Sequence, residues 1–287
     1  SSWVSFFKGL VGVGDGYFLL PENIPLASFL AAFAFAGAGG NLNLAQSFYI
    51  KEKGYGMGQF SGRITSILTG KVENIKLEGA RFKMDSENLS RFKKWWRLIN
   101  REHLLVFWAT GAFTISLLGL LAYTTTFGST TPGAGINFVL YEAATIGIRT
   151  LPIIGTLFLI IGGVMLFATQ MTVLDATSRI MAENLLLVRS HIWRVKTLPS
   201  IYYSFLWAQI LFGILVFLTN LREPLFLLIL GAGINAFAML VHVALTLWLN
   251  LTSLEKQLRP SLLRIGAMGA AFLFLTYFVT RVLLDIV

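Results

Sequence analysis

The chain has 287 residues, of which 55% are hydrophobic and 13% charged, with a mean hydropathy of +0.71. Average globular chains carry about 25% charged residues, so this balance argues against a soluble globular domain; it also excludes a disordered chain, which needs low hydrophobicity and high charge. There is no cysteine, hence no disulfide framework and no thiolate metal site.

In chain order, residues 3–10 form a short amphipathic stretch inside a segment, 1–24, read as an extracytoplasmic loop. The run from Gly12 to Gly16 has phosphate-loop spacing but lacks the preceding strand and the Lys-Ser/Thr ending, so its glycines read as turns. A bilayer core of about 30 Å takes about 20 apolar residues as helix. Six windows of that kind follow, at 25–50, 103–126, 151–172, 201–218, 224–250 and 265–284, predicting an all-α polytopic membrane domain over 25–287. The long connection 51–102 has turns or a hairpin expected over 73–89, then a basic stretch, 91–101, with Trp95 and Trp96. Aromatic and basic residues together suit the headgroup layer, so this stretch reads as an interfacial helix leading into the second span.

Sidedness follows from Lys and Arg in the connections. The first, third and fifth connections hold twelve, four and three, nineteen in all, and the remainder of the chain holds four. That places the large loops in the cytoplasm and both chain ends outside. The net charge of +9 is then a matter of topology, and nucleic-acid binding is not needed to explain it. Residue 1 is Ser and no signal peptide follows, so an outside start is expected of a piece of a longer protein.

The first span is interrupted. Gly37, Gly39 and Gly40 cluster near its middle, directly before Asn41 and Asn43. Each Gly costs about 1 kcal/mol against Ala in a helix, so the cluster predicts a break. Irregular backbone at membrane depth is tolerated only where it is buried in protein or lines a cavity, and unwound carbonyls at such breaks coordinate ions in many transporters. Asn43, Gln46 and Ser47 share one helix face beyond the break. Two readings stand side by side: an ion or solute path, and close helix packing through small residues and amides. Asn235 and His242, seven apart, share a face of the fifth span. Asn235 is a candidate ligand oxygen and His242 a candidate proton relay, against a packing role for each. Asp175 and Arg179 are spaced for a helical ion pair, read as structural ahead of a gate. Thr169, Gln170 and Thr172 read as interfacial polarity at a helix end. No Walker loop, His-Glu-x-x-His or nucleophile elbow occurs, and no acid-base pair lies inside a span, so no enzyme and no cofactor is expected.

Three stretches carry a family resemblance: GAGGNLNLAQSFYIKEKGYGMG (37–58), RFKMDSENLSRFKKWWRLINREH (81–103) and LFATQMTVLDATSR (166–179). They resemble the sixth helix, the connection into the seventh, and the end of the eighth helix of Nramp-family metal transporters, in a divergent prokaryotic branch. The resemblance implies a LeuT-like fold, with this chain as helices six to eleven: the second inverted repeat plus one extra helix. It implies a partner, the missing N-terminal half with helices one to five, and a prokaryotic inner membrane.

Typical members of that family carry Met-Pro-His before Asn-Leu, the Met sulfur being a metal ligand. Anchored on Asn41 and Leu42, those positions fall on Ala38, Gly39 and Gly40, so the thioether is absent. Carbonyl and amide oxygens suit Mg²⁺ better than Mn²⁺ or Fe²⁺. The resemblance thus implies metal ligands at Ala38, Gly39, Asn41 and Asn43, and a wider substrate site from Gly37 to Asn41 with Asn43, Gln46 and Asn235. The family's metal-binding Asp lies on its first helix, beyond this chain. The activity implied is secondary transport of an inorganic cation by alternating access. The alternative from another class is a structural or assembly membrane subunit that transports nothing.

Overall fold

A computed structural model describes residues 2–13, 29, 32–34, 39–40, 42–60, 81–126, 137–189, 193–219 and 224–286. The described residues are helical, with no β-strand among them. The helices in chain order are α1 (Ser2–Leu10), α2 (Leu42–Glu52), α3 (Ser86–Glu102), α4 (Thr110–Thr125), α5 (Asn137–Arg149), α6 (Pro152–Val188), α7 (Leu198–Leu218), α8 (Pro224–Ser253) and α9 (Leu262–Ile286). A π-helical stretch, His103–Ala109, joins α3 to α4 without a break.

Five helices are long and apolar enough to cross a membrane: Ser86–Thr125, Pro152–Val188, Val195–Leu218, Ile229–Ser253 and Leu262–Arg281. Their apolar surfaces are largely open. Leu166 is 71% exposed, Phe167 69% and Leu263 85%. In water such continuous apolar surface would drive aggregation; against lipid tails it is the surface a spanning helix needs. This is a multi-pass membrane architecture. Two of the helices exceed the bilayer. At 1.5 Å per residue the 40-residue helix 86–125 runs about 60 Å, twice the hydrocarbon thickness. Its charged half, 86–102, is the overhang. Likewise the 37 residues of α6 overrun the bilayer, and Asp175, Arg179 and Glu183 lie on its last turns.

Of the 26 residues of the span expected over 25–50, fifteen are described, as separate pieces before and after the break. Phe29 and residues 32–34 are helical, Gly39 and Gly40 are not, and α2 begins at Leu42. With 11 residues, α2 rises about 16 Å, half the hydrocarbon thickness. The break expected from the glycine cluster is therefore present at Gly39–Gly40. Near the start, Gly12 takes φ +72° just after α1, the turn that its place in the Gly12–Gly16 run suggested. Of the turns or hairpin expected over 73–89, residues 73–80 lie outside the described residues, whereas 86–89 are the first turn of α3, started by the Asp85 cap; the polar run 128–135 also lies outside them.

The chain folds into two compact units. The first comprises 1–43, 111–162 and 223–287; the second comprises 44–110 and 163–222. In the first, Ala34, Ala232, Ala236, Phe278 and Val279 form the buried core, with α8 and α9 packed along each other. Ala232 and Ala236, one turn apart, let the segment around Ala34 approach α8 closely. Phe29, Phe274 and Phe278 stack against this contact, with centroids 5.5 and 4.4 Å apart. In the second unit the core is Ala182, Leu186, Leu198, Ile201 and Tyr202, the corner between α6 and α7.

One element was not expected. The 13 residues of α5 form a helix that turns back onto α6 through Thr150 and Leu151. A Cβ at Gly155 would overlap the Ala143 carbonyl oxygen, so this hairpin closes only because position 155 is Gly. Pro152 starts α6, where its fixed φ fits and its missing N–H costs nothing.

Candidate functional site

The first unit brings together Gly39, Gly40, Asn43, Asn235 and His242. Gly40 has φ +58°, a left-handed conformation that residues with a Cβ rarely adopt. A Cβ there would also overlap Asn235 Oδ1, and one at Gly39 would overlap the Ala34 carbonyl oxygen. The two glycines therefore do two jobs. They let the backbone leave the helix, and they let it press against α8. The Leu42 N–H donates to the Gly39 carbonyl at 3.2 Å, which starts α2.

The Gly40 carbonyl is the centre of the cluster. Asn43 Nδ2 donates to it over a long 3.4 Å. His242 Nδ1 lies 3.3 Å from the same oxygen, and donates to it in the tautomer that carries the proton on Nδ1. Asn235 and His242 sit two turns apart on α8 and reach the break together, as their shared face requires. The polar atoms assembled are one backbone carbonyl, two side-chain amides and one imidazole. Their oxygens are of the kind that coordinate hard cations. Among the described residues no group of three or more His, Asp or Glu is arranged to hold a metal. A dication at this cluster would draw on neutral oxygens, and low dielectric makes an uncompensated double charge expensive.

The remaining expected site residues divide. Gly37, Ala38 and Asn41 lie outside the described residues. Gln46 is half-buried on α2, and belongs to the second unit. Ser47 turns back to its own helix, donating to the Leu44 carbonyl at 2.7 Å.

In the second unit, charges are paired densely. Arg179 bonds Asp175 at 2.9 Å and Glu52 at 3.2 Å, and its guanidinium lies 5.5 Å from the Tyr202 ring centroid. Tyr202 in turn donates to Asp175 at 2.6 Å. Lys51 pairs with Glu183 at 2.9 Å. Buried Ser178 accepts from Gln209 Nε2 at 2.8 Å. Thus the last turn of α2 is tied to α6 by two ion pairs, and α6 to α7 by two hydrogen bonds. Lys53 forms a third pair, with Glu102, which also accepts from Tyr49 and Tyr55. The bond to Glu102 holds the Lys53 ammonium well above its ordinary value. The Asp175–Arg179 pair was visible in the sequence spacing; Glu52, Tyr202 and the Lys51–Glu183 pair were not.

A second group absent from the sequence reading is Glu142 on α5, 5% exposed. Burial raises its carboxyl above the usual range, partly offset by a bond from Thr125 Oγ1 at 3.3 Å. Nearby, Arg149 caps the C-terminal end of α4 by donating to the Thr124 carbonyl.

No protein-family model, curated protein or solved structure matches the chain. The Nramp resemblance therefore rests on its three sequence stretches alone.

Proposed function

We propose that the protein is part of a secondary transporter for an inorganic cation, with Mg²⁺ favoured over Mn²⁺ and Fe²⁺, working by alternating access. The observation that carries this reading is the convergence at a helix break: the Gly40 carbonyl, Asn43, Asn235 and His242 meet where the backbone is unwound. Backbone carbonyls freed by a broken helix are what ion sites in such carriers use. The donor set supports a hard cation, since it contains oxygens and one imidazole and no sulfur. In this reading the Gly40 oxygen and the amide oxygens of Asn43 and Asn235 contact the ion. His242 gives up its bond to Gly40 when the ion arrives, and its ring takes up or releases the proton that accompanies transport. The compensating carboxylate comes from a preceding repeat of five helices. The charge bias of nineteen to four supports a cytoplasmic side for the ionic network of the second unit.

A second reading has its own observation. Each bond just described also satisfies a polar group within the chain, and Ala34, Ala232 and Ala236 are packed almost without exposure. That is the arrangement of a close helix contact in a structural or assembly subunit. Calorimetric titration of the intact protein with Mg²⁺, Ca²⁺ and Mn²⁺ separates the two. Transport predicts saturable Mg²⁺ heat that disappears in Asn235→Leu while the variant stays folded. Absence of heat with every ion favours the assembly reading.

A further inference from the structure

The second unit contains a cavity of about 480 Å³ between the end of α2, the turn Gly56–Phe60 and α3. Its walls are aromatic: Tyr55, Phe60, Phe82, Phe92, Trp95 and Trp96 all line it. The rings are stacked on one another, Tyr55 on Trp95 at 5.2 Å, and Phe92 on both Phe82 and Trp96 at 6.1 Å. Gly56, at φ +55°, lets the turn cross the face of Trp95, whose ring lies 3.7 Å from where a Cβ would stand. Two cations join the lining, Lys51 and Arg91.

Three properties narrow the ligand. The volume falls in the range of small-molecule sites, about 300–1,000 Å³, so a single chain-like or ring-like group fits. The walls offer apolar contact, and the charge beside them is mostly positive: residues 81–101 carry seven Lys and Arg against two carboxylates, Arg91 pairing with Glu87 on the exposed face of α3 and Lys51 with Glu183. Finally, α3 continues without interruption into the apolar span, so the cavity lies beside the helix segment that leaves the hydrocarbon. Aromatic and basic residues at that level meet lipid headgroups. A nucleic acid would also meet basic and aromatic groups, but it gains little from apolar walls beside a spanning helix.

We infer that this cavity binds one anionic glycerophospholipid, an acyl chain lying among the aromatic rings and the phosphate facing Arg91 and the basic side of α3. This site is independent of the transport reading and stands or falls without it. The lipid would brace the connection 51–102 against the bilayer.

The test is native mass spectrometry of the full chain released from detergent micelles, with dioleoylphosphatidylglycerol or dioleoylphosphatidylcholine as probe. One phosphatidylglycerol should be retained, about fivefold or more tighter than phosphatidylcholine, the size expected for one basic contact to an anionic lipid. Arg91→Glu should abolish that preference and Arg91→Lys should keep it. Ile99→Trp, which fills the cavity, should remove retention while circular dichroism shows unchanged helix content. Should Ile99→Trp fail to fold, the Arg91 pair on the exposed face of α3 carries the test. A photo-reactive side chain in place of Trp95 should label added phosphatidylglycerol. Equal retention of the two lipids, retention unaltered by a folded Ile99→Trp, or labelling of residues 61–80 in place of lipid would each overturn the inference. Inorganic phosphate at millimolar concentration should not displace the lipid; displacement would mean an anion site only.

Discussion

The two units bury polar groups in opposite ways. In the first, the contact between the Gly39–Gly40 break and α8 holds no carboxylate, lysine or arginine among its described groups: a carbonyl, two amides and an imidazole meet over alanines. In the second, the last turn of α2 is held by Arg179, Lys51 and their carboxylates, and Glu102 gathers Lys53, Tyr49 and Tyr55. The difference follows from solvent. Glycine and amides permit close helix approach without bringing charge into the contact. Ion pairs are affordable on the overhanging turns of α6 and α3, which exceed the bilayer thickness. A cation entering the first region would have to compete with Asn43 and His242 for the Gly40 carbonyl oxygen. One entering the second would find every nearby carboxylate sharing a positive partner.

Substitutions sharpen this contrast, the largest effect falling in the neutral contact. Gly40→Ala meets both the positive φ and Asn235 Oδ1. The backbone penalty alone is about 1–3 kcal/mol, so a large drop in Tm in detergent is expected. The double variant with Asn235→Gly should regain part of it, the steric share. A Gly40→Ala protein as stable as the wild type would show that the break is not held against α8.

Next comes the ionic hub. Arg179→Met strands Asp175 and Glu52, both partly exposed, and should cost about 1–3 kcal/mol by thermal denaturation. Lys51→Met should cost less, and both effects should shrink at high salt, whereas the Gly40→Ala effect should not.

Glu142 gives a pH dependence. Its carboxyl is raised in the folded state by burial, so the folded protein binds its proton more tightly than the unfolded chain does. The contribution is intact below the ordinary carboxylate value and is lost as pH rises through the raised one. Glu142→Gln should therefore raise Tm by on the order of a few degrees at neutral and alkaline pH. It should leave Tm unchanged at acidic pH. An identical pH profile for both proteins would contradict the buried assignment. The smallest effect belongs to the exposed pair on α3: Glu87→Gln, losing its bond to Arg91, should change stability by no more than about 0.5 kcal/mol.

Much of the architecture was legible in the sequence because lipid imposes a simple rule. Charge-free windows marked the five long apolar helices, and the basic stretch 91–101, expected as an interfacial helix, lies in α3, which Asp85 caps by accepting from the Asn88 N–H and which runs on into the apolar helix. The helix break was legible because three glycines precede Asn41 and Asn43. The seven-residue spacing of Asn235 and His242 gave their common face. What local spacing cannot give is which distant element faces it. The meeting of Gly40 with His242, 202 residues on, needed the structure. So did Glu52 and Tyr202 around Arg179. Helix α5 was missed for another reason. Thirteen residues are too few for a spanning window, and the burial of Glu142 depends on neighbours that local spacing does not reveal.

The most direct test of the transport reading is Mg²⁺ uptake into proteoliposomes holding the intact protein, compared with its Asn43→Leu variant. Saturable uptake by the wild type and none by Asn43→Leu, with equal incorporation and equal helix content, is the expected result. Uptake that survives Asn43→Leu, or a wild type that moves no Mg²⁺, would contradict it.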